Sequence, residues 1–241
     1  MAADGAPRRA RPGPLALVGS GEFLPAMRDT DRRLLEGRNR RVAVLPTAAG
    51  LEGDERVRYW LDLARRHYDD LGADVVEVAV LQRDHADVHE WVEAIEGVGL
   101  VYLSGGNPHH VTAALTDTAV WRAVRAAWES GAALAGCSAG AMTLAQTVVS
   151  LRGAPQMAGL GLVPGICVIP HFDAFARRFP ELVDRTRTEV REMIVGIDED
   201  TALVGGPQTW VVEGRGQVHV YQLDGSVQRF LAGATVELPA S

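Results

Sequence analysis

Residues 131–145 read GAALAGCSAGAMTLA, and this stretch carries the strongest signal in the chain. It places Ser138 at the centre of a G-x-S-x-G frame, between the apolar run 131–135 and the helix-forming residues 141–145. A serine in such a frame sits on a sharp strand-to-helix turn, where its hydroxyl is held clear of the backbone. Gly136 and Gly140 keep side chains away from the adjoining strand and helix. The stretch therefore predicts a strand, a nucleophile elbow and a helix.

Two other interpretations of these residues exist. A plain tight turn is one, because short patterns also arise by chance in a chain with 26 glycines. Cys137 as the nucleophile is the other. Cys137 lies one position before the centre of the frame, where an elbow turns the side chain away from the pocket, so we expect a small buried residue there.

Strand-length apolar runs alternate with helix-period segments through most of the chain. Strands are predicted at 15–19, 42–46, 75–80 and 99–103, and helices at 54–71, 87–96, from 111 onward and at 120–129. The alternation indicates an α/β fold with a mostly parallel sheet, helices on both faces and the serine strand as the fifth. Further along, the pattern predicts a strand ending at His171, a charged helix over 174–195 and short antiparallel strands over 201–221.

Composition narrows the function classes. The 241 residues carry a net charge of -7, which argues against a protein that coats nucleic acid, and no apolar stretch is long enough to span a membrane. All 24 basic residues are arginine, which excludes chemistry that needs a lysine. We expect residues 1–14, rich in Pro, Arg and Ala, to form a disordered leader and residues 15–241 a single domain. Two cysteines and the lack of an apolar signal segment predict a cytoplasmic protein.

The loops after the predicted strands carry the candidate site residues, because ligands of open α/β sheets bind beyond the carboxyl ends of the strands. His171 follows the strand-like run 166–169 and is the predicted general base for Ser138, with a structural histidine as the alternative. The segment Ser104-Gly105-Gly106-Asn107-Pro108 brings backbone close to an anion. We predict that the N–H groups of Gly106 and Ala139 form an oxyanion hole, with Gly105 and Asn107 lining the pocket. A Gly-Asn turn at a helix entry is the alternative.

The remaining histidines carry weaker signals. His85 and His89 are four residues apart, but the glutamate of a metalloprotease motif is absent between them, so we expect a solvated helix face and no metal site. Adjacent side chains point apart, so at most one of His109 and His110 faces the pocket.

The motifs SGGN (104–107), GCSAGA (136–141) and PHF (170–172), in this order, resemble the S51 serine peptidases, a group that contains aspartyl dipeptidase and cyanophycinase. The resemblance covers about residues 15–213 and includes the cyanophycinase-like stretch GIDEDTA at 196–202. It implies a three-layer fold related to class I glutamine amidotransferases. It also implies hydrolysis of a small peptide, isopeptide or amide through a Ser138 acyl-enzyme, with His171 as base and Gly106 and Ala139 as oxyanion donors. No metal or organic cofactor and no particular oligomeric state are implied.

One departure concerns the acid of the triad. Relatives commonly carry it shortly after the serine, yet residues 139–170 contain no Asp or Glu, and Gly153 stands at the aspartyl-dipeptidase spacing. Gln156, Asp173 and Glu22 are the candidates for orienting His171. The departure keeps open a second hypothesis, a ligand-binding protein that has lost turnover. A glutamine amidotransferase-like protein ranks last, because that activity needs cysteine at the position of Ser138.

Overall fold

The computed structural model describes residues 11–149, 155–206 and 208–239. The strands in chain order are β1 (Leu15–Val18), β2 (Arg41–Leu45), β3 (Asp74–Glu77), β4 (Leu100–Leu103), β5 (Ala133–Cys137), β6 (Ala145–Val148), β7 (Met157–Ala158), β8 (Val163–Ile169), β9 (Met193–Ile197), β10 (Thr201–Gly205), β11 (Thr209–Gly214), β12 (Gln217–Tyr221), β13 (Val227–Leu231) and β14 (Thr235–Glu237). The helices are α1 (Arg28–Leu34), α2 (Asp54–Asp69), α3 (His89–Ile95), α4 (Pro108–Leu115), α5 (Ala119–Glu129), α6 (Ala139–Leu144), α7 (Phe172–Arg178) and α8 (Pro180–Glu189). Short 3-10 turns occupy Pro25–Met27, Thr47–Ala49 and Arg83–Asp87.

The larger sheet has the strand order β14-β11-β10-β1-β5-β4-β2-β3. From β1 to β3 all neighbours are parallel, whereas β10, β11 and β14 add antiparallel strands at the other edge. The predicted mostly parallel sheet, with the serine strand fifth and antiparallel strands near the C-terminus, is confirmed.

Helices cover both faces of this sheet because its central strands are apolar on both sides. Along β1, Leu15 and Leu17 join one core cluster, whereas Ala16 and Val18 join the other. The first cluster contains buried residues of α3, α4 and α5, and the second contains those of α2. A strand that is buried on both faces reads as a continuous apolar run, which explains why these strands are visible in the sequence.

A second sheet, with the order β13-β12-β9-β8-β6-β7, packs beside the first. Its central strands β6, β8 and β9 are parallel. The helix predicted over 174–195 is wrong in extent: α7 ends at Arg178, α8 begins at Pro180, and the apolar segment from Met193 is strand β9. Proline lacks the N–H that a continuing helix needs, so the break falls at this position.

The end of the predicted leader lies against α5. The N–H of Gly13 donates to the carbonyl of Trp128 at 2.9 Å, and the Trp128 indole donates to the carbonyl of Gly13 at 2.8 Å. Residues 1–10 lie outside the described residues, so the predicted disorder stays a prediction. The single domain over residues 15–241 also stays a prediction. Among the helices of the described part of the chain, none combines the length and apolarity needed to cross a membrane.

Candidate active site

Ser138 occupies a strained turn between β5 and α6. Its backbone has φ 49° and ψ -108°, a conformation that costs a non-glycine residue energy and is typical of functional positions. The two glycines of the frame are required by close backbone contacts. A Cβ on Gly140 would lie 2.4 Å from the carbonyl oxygen of Leu103, and one on Gly136 would lie 2.5 Å from the carbonyl carbon of Gly140. Small residues therefore allow the helix to leave the sheet directly beneath the serine.

His171 reaches the serine from the end of β8. Its backbone is left-handed, with φ 49° and ψ 37°, and it is the N-cap residue of α7. The Nε2 atom lies 3.1 Å from Ser138 Oγ, which is hydrogen-bonding distance for a general base.

Glu199 completes a chain of three side chains. Its Oε1 lies 2.9 Å from His171 Nδ1, so the imidazole lies between the serine hydroxyl and a carboxylate. Glu199 follows β9, and its backbone is fixed at two points: its N–H donates to Asp173 Oδ1 at 3.0 Å, and its carbonyl accepts from Thr201 Oγ1 at 2.9 Å. The arrangement has the geometry of a Ser-His-acid triad.

Gly106 and Ala139 both line the cleft above Ser138, as do Gly105 and Asn107. Gly106 has φ 142°, and a Cβ there would lie 2.5 Å from the carbonyl oxygen of Ala48, so this loop needs glycine. Asn107 caps α4, its Oδ1 accepting from the N–H of His110 at 3.1 Å. The loop 105–107 therefore both leads into α4 and lines the cleft, so the two interpretations of this segment are compatible. Within the described ranges, no hydrogen bond engages the N–H of Gly106 or Ala139.

Comparisons with known proteins identify the family of the chain. The sequence model of the family described as peptidase family S51 matches residues 15–209. This chain belongs to peptidase family S51. A peptidase structure from an acI-B1 Actinobacterium superposes with a TM-score of 0.88 at 36% identity, covering 96% of this chain and 99% of that one.

Curated relatives of this S51 chain include cyanophycinases. One from a Nostoc species is 28% identical over 167 residues, which is 64% of this chain and 56% of the relative. One from Synechococcus elongatus is 29% identical over 191 residues, which is 74% of this chain and 58% of the relative. The chain thus spans somewhat over half the length of these two cyanophycinases.

The three residues considered for orienting His171 have other partners in this S51 chain. Gln156 donates to Glu189 Oε2 at 3.3 Å. Asp173 accepts from the backbone of Glu199, and Glu22 accepts from the N–H of Gly105 at 3.0 Å. The sequence reasoning missed Glu199, although the cyanophycinase-like stretch 196–202 contains it. That stretch, at the end of a strand, was the available signal.

The cleft that contains Ser138 has a volume of about 690 Å³. Besides the serine, the histidine and the loop 105–108, its lining includes Glu22, Glu52, Arg56, Trp60, His109, Met142 and Phe175. Among the described residues that line it, Arg56 is the one arginine. Its guanidinium lies over the Trp60 ring, 4.9 Å from the centroid, and its Nε is 3.4 Å from Glu52 Oε2. The cleft therefore presents one arginine charge near Ser138 and His171.

Cys137 is fully buried beneath the elbow, as predicted from its place in the frame. Burial, followed by the neighbouring Glu22 carboxylate, raises the pKa of its thiol well above the ordinary value. A thiol in this state is a poor nucleophile at neutral pH, because the thiolate is the reactive form.

The remaining histidines serve other contacts. His89 pairs with Glu93 on the exposed face of α3 at 3.1 Å, and His85 lies 3.1 Å from the Gln82 amide. His109 lines the cleft, whereas His110 bonds to the carbonyl of Leu81 at 2.7 Å. Over 11–149, 155–206 and 208–239, no group of three or more His, Cys, Asp or Glu side chains is arranged to hold a metal ion.

Proposed function

We propose that this S51 chain is a serine-type peptidase that hydrolyses a peptide or isopeptide bond in a small substrate through a Ser138 acyl-enzyme. The observation that carries the proposal is the hydrogen-bonded series from Ser138 Oγ through His171 to Glu199, at 3.1 and 2.9 Å. Family membership supports the same reaction.

The first half of the proposed reaction forms the acyl-enzyme. His171 Nε2 accepts the hydroxyl proton of Ser138 as Oγ attacks the carbonyl carbon, and the N–H groups of Gly106 and Ala139 donate to the oxyanion. Collapse of the tetrahedral intermediate breaks the C–N bond, and the leaving amine takes the proton from His171. Glu199 holds the imidazole in the required tautomer and stabilises the imidazolium. Removal of one oxyanion donor typically costs about 3 kcal/mol of barrier.

The second half regenerates the enzyme. A water molecule gives a proton to His171 and attacks the acyl carbon, and the proton returns to Ser138 Oγ as the carboxylic acid product leaves. The same donors and the same base therefore serve both steps, and the residues described above supply every proton acceptor that the sequence of steps requires.

Arg56 supports a substrate that carries a carboxylate. A guanidinium held over an aromatic ring is pre-organised to bind a carboxylate with little loss of side-chain entropy. The exposed pairing with Glu52 at 3.4 Å is weak, so a substrate carboxylate can displace it at little cost. The cleft volume of about 690 Å³ fits a short peptide. A cytoplasmic location is also proposed, supported by two cysteines that are free and buried.

The second hypothesis, a binding protein without turnover, rested on the missing acid between residues 139 and 170. The carboxylate of Glu199 lies at His171 Nδ1, so the reason for that hypothesis no longer applies and turnover is favoured. The amidotransferase-like alternative is disfavoured because the hydroxyl of Ser138, and not the buried thiol of Cys137, faces the histidine.

Labelling with a fluorophosphonate probe tests the proposal. We expect the probe to modify Ser138, and Ser138→Ala and His171→Ala each to abolish labelling while the protein stays folded. Gln156→Ala is the matched control and retains labelling at Ser138, because Gln156 bonds to Glu189 and not to His171. Folded wild-type protein that resists the probe would refute the proposal.

A library of dipeptides and β-linked peptides then identifies the substrate. Hydrolysis by the wild type and none by Ser138→Ala is the expected result. Arg56→Ala should raise KM for substrates with a free carboxylate and leave their amidated counterparts unaffected. Equal effects on both sets would remove the role of Arg56 in carboxylate binding.

A further inference from the structure

Glu22 connects the two segments that carry the proposed oxyanion donors. Its Oε1 accepts from the N–H of Gly105 at 3.0 Å, and its Oε2 accepts from the thiol of Cys137 at 2.8 Å. Gly105 directly precedes Gly106, and Cys137 lies two residues before Ala139. Only 6% of Glu22 is exposed, so both hydrogen bonds lie in a region of low dielectric, where charge-assisted bonds are strong.

The backbone on either side of Glu22 holds the carboxylate in place. Gly21 and Phe23 both have positive φ, at 87° and 60°, and a phenylalanine in this region is strained. The Phe23 ring is buried against Tyr102 and Tyr68, with centroids 4.7 and 5.9 Å away. Packing of the Phe23 ring thus stabilises a strained backbone turn. Strain of this kind is typical of functional positions.

The space around Gly105 shows how close the contact is. A Cβ on Gly105 would lie 2.7 Å from Glu22 Oε1 and 3.4 Å from the Cβ of Ser138. The carboxylate, the glycine loop and the nucleophile are therefore packed against one another.

We infer that Glu22 is a positioning residue that ties the loop 104–107 to the elbow and so fixes the separation between the N–H groups of Gly106 and Ala139. The inference rests on the proposed function, because it assigns Glu22 to the oxyanion hole of that reaction. Glu22 acts through Gly105 and Cys137 and takes no part in proton transfer.

Two pairs of variants separate the two hydrogen bonds. Glu22→Gln retains an acceptor for Gly105, whereas Glu22→Ala removes both bonds. Cys137→Ser keeps a donor toward Glu22, whereas Cys137→Ala removes it. Asp31→Asn is the control for a buried carboxylate in the neighbouring helix α1, because Asp31 pairs with His67 at 2.8 Å.

Three readouts are compared in the full-length protein: kcat and KM for the best library substrate, the affinity of a peptide aldehyde, and hydrogen exchange of residues 104–107. The aldehyde forms a hemiacetal with Ser138 whose oxygen occupies the oxyanion hole, so it reports on the donors directly. Hydrogen exchange reports on the loop and needs no activity.

We expect Glu22→Ala to lower kcat and aldehyde affinity together by about 10- to 150-fold, the range for loss of a hydrogen bond to a charged group, with KM changed less than about threefold. Glu22→Gln loses less, and Cys137→Ser loses less than Cys137→Ala. Cys137→Ala adds no further loss once Glu22 is alanine. Exchange at Gly105 accelerates in Glu22→Ala and not in Asp31→Asn, which lowers only the melting temperature.

Unchanged exchange at Gly105 and unchanged aldehyde affinity in folded Glu22→Ala would overturn the inference. Failure of the proposed function gives a different result, because the wild type itself would then resist the fluorophosphonate. Hydrogen exchange still decides in that case whether Glu22 holds the loop.

Discussion

Replacement of Glu199 tests the part of the site that the sequence did not reveal. Glu199→Gln keeps the shape of the side chain and an oxygen that accepts from His171 Nδ1, but removes the charge that stabilises the imidazolium. Glu199→Ala removes both the charge and the hydrogen bond. We expect both variants to fold, because half of the Glu199 side chain is exposed.

The size of the effect follows from that exposure. Replacing a buried triad acid by its amide costs about 10⁴ in turnover. Here 32% of the His171 side chain and 50% of the Glu199 side chain are exposed, so solvent screens the pair. A hydrogen bond to a charged group contributes about 1.5–3 kcal/mol, which corresponds to a loss of about 10- to 150-fold in rate. Glu199→Gln should fall at the lower end of this range and Glu199→Ala at the upper end.

The second-order rate of fluorophosphonate labelling measures the effect without a known substrate, since the probe needs the same proton transfer from Ser138. Gln156→Ala is the matched control, because Gln156 bonds to Glu189 and not to His171. Its labelling rate should stay within about threefold of the wild type. Wild-type rates in both Glu199 variants, or a loss in Gln156→Ala as large as in Glu199→Ala, would refute the assignment of Glu199 as the triad acid.

Two further predictions concern stability. Gly140→Ala should destabilise the fold by about 1–3 kcal/mol or more in denaturant titrations and should abolish labelling, because its Cβ would lie 2.4 Å from the Leu103 carbonyl oxygen; a wild-type midpoint would contradict this packing. Burial lowers the pKa of His219 below 6.5 even though Asp198 lies 3.2 Å away and opposes the shift. On acidification the unfolded chain binds a proton at this histidine before the folded chain does. The contribution of His219 to the free energy of unfolding should therefore be largest above about pH 6.5 and be lost as the pH drops through the lowered pKa. In His219→Gln, the fall in melting temperature from about pH 7 to pH 5 should be smaller than in the wild type; an unchanged fall would remove His219 as its source.

The parallel part of the first sheet could be predicted from the sequence because each of its strands, β1 to β5, carries its own local signal. The run 42–46 is apolar throughout because β2 is buried on both faces, and α2 shows Val57, Leu61, Ala64 and Tyr68 on one buried face. The serine frame was readable for a similar reason. Gly136 is required by its contact with Gly140, and Gly140 by its contact with Leu103 of the adjacent strand. The two glycines are close in the chain, so the requirement for glycine appears as a short motif.

The C-terminal half carried weaker local signals. The charged segment 174–195 has a helical pattern over most of its length, and the pattern alone does not show that Phe179 and Pro180 divide it or that β9 begins at Met193. Residues from Met193 form a strand because they pair with β8. Such pairing joins residues far apart in the chain, so a local pattern does not reveal it. The role of Glu199 depends on that same pairing, because only the alignment of β9 beside β8 brings it to His171.

The proposed reaction is compatible with an acid at position 199. An imidazole that accepts a proton at Nε2 needs a hydrogen-bond acceptor at Nδ1, and the chemistry sets no condition on where in the chain that acceptor stands. Because β8 and β9 are parallel neighbours, His171 and Glu199 emerge at the same edge of the second sheet, and Asp173 holds the backbone of Glu199 toward the histidine. The proposed reaction therefore does not require a carboxylate between residues 139 and 170, since Glu199, which follows the neighbouring strand β9, places one at His171 Nδ1.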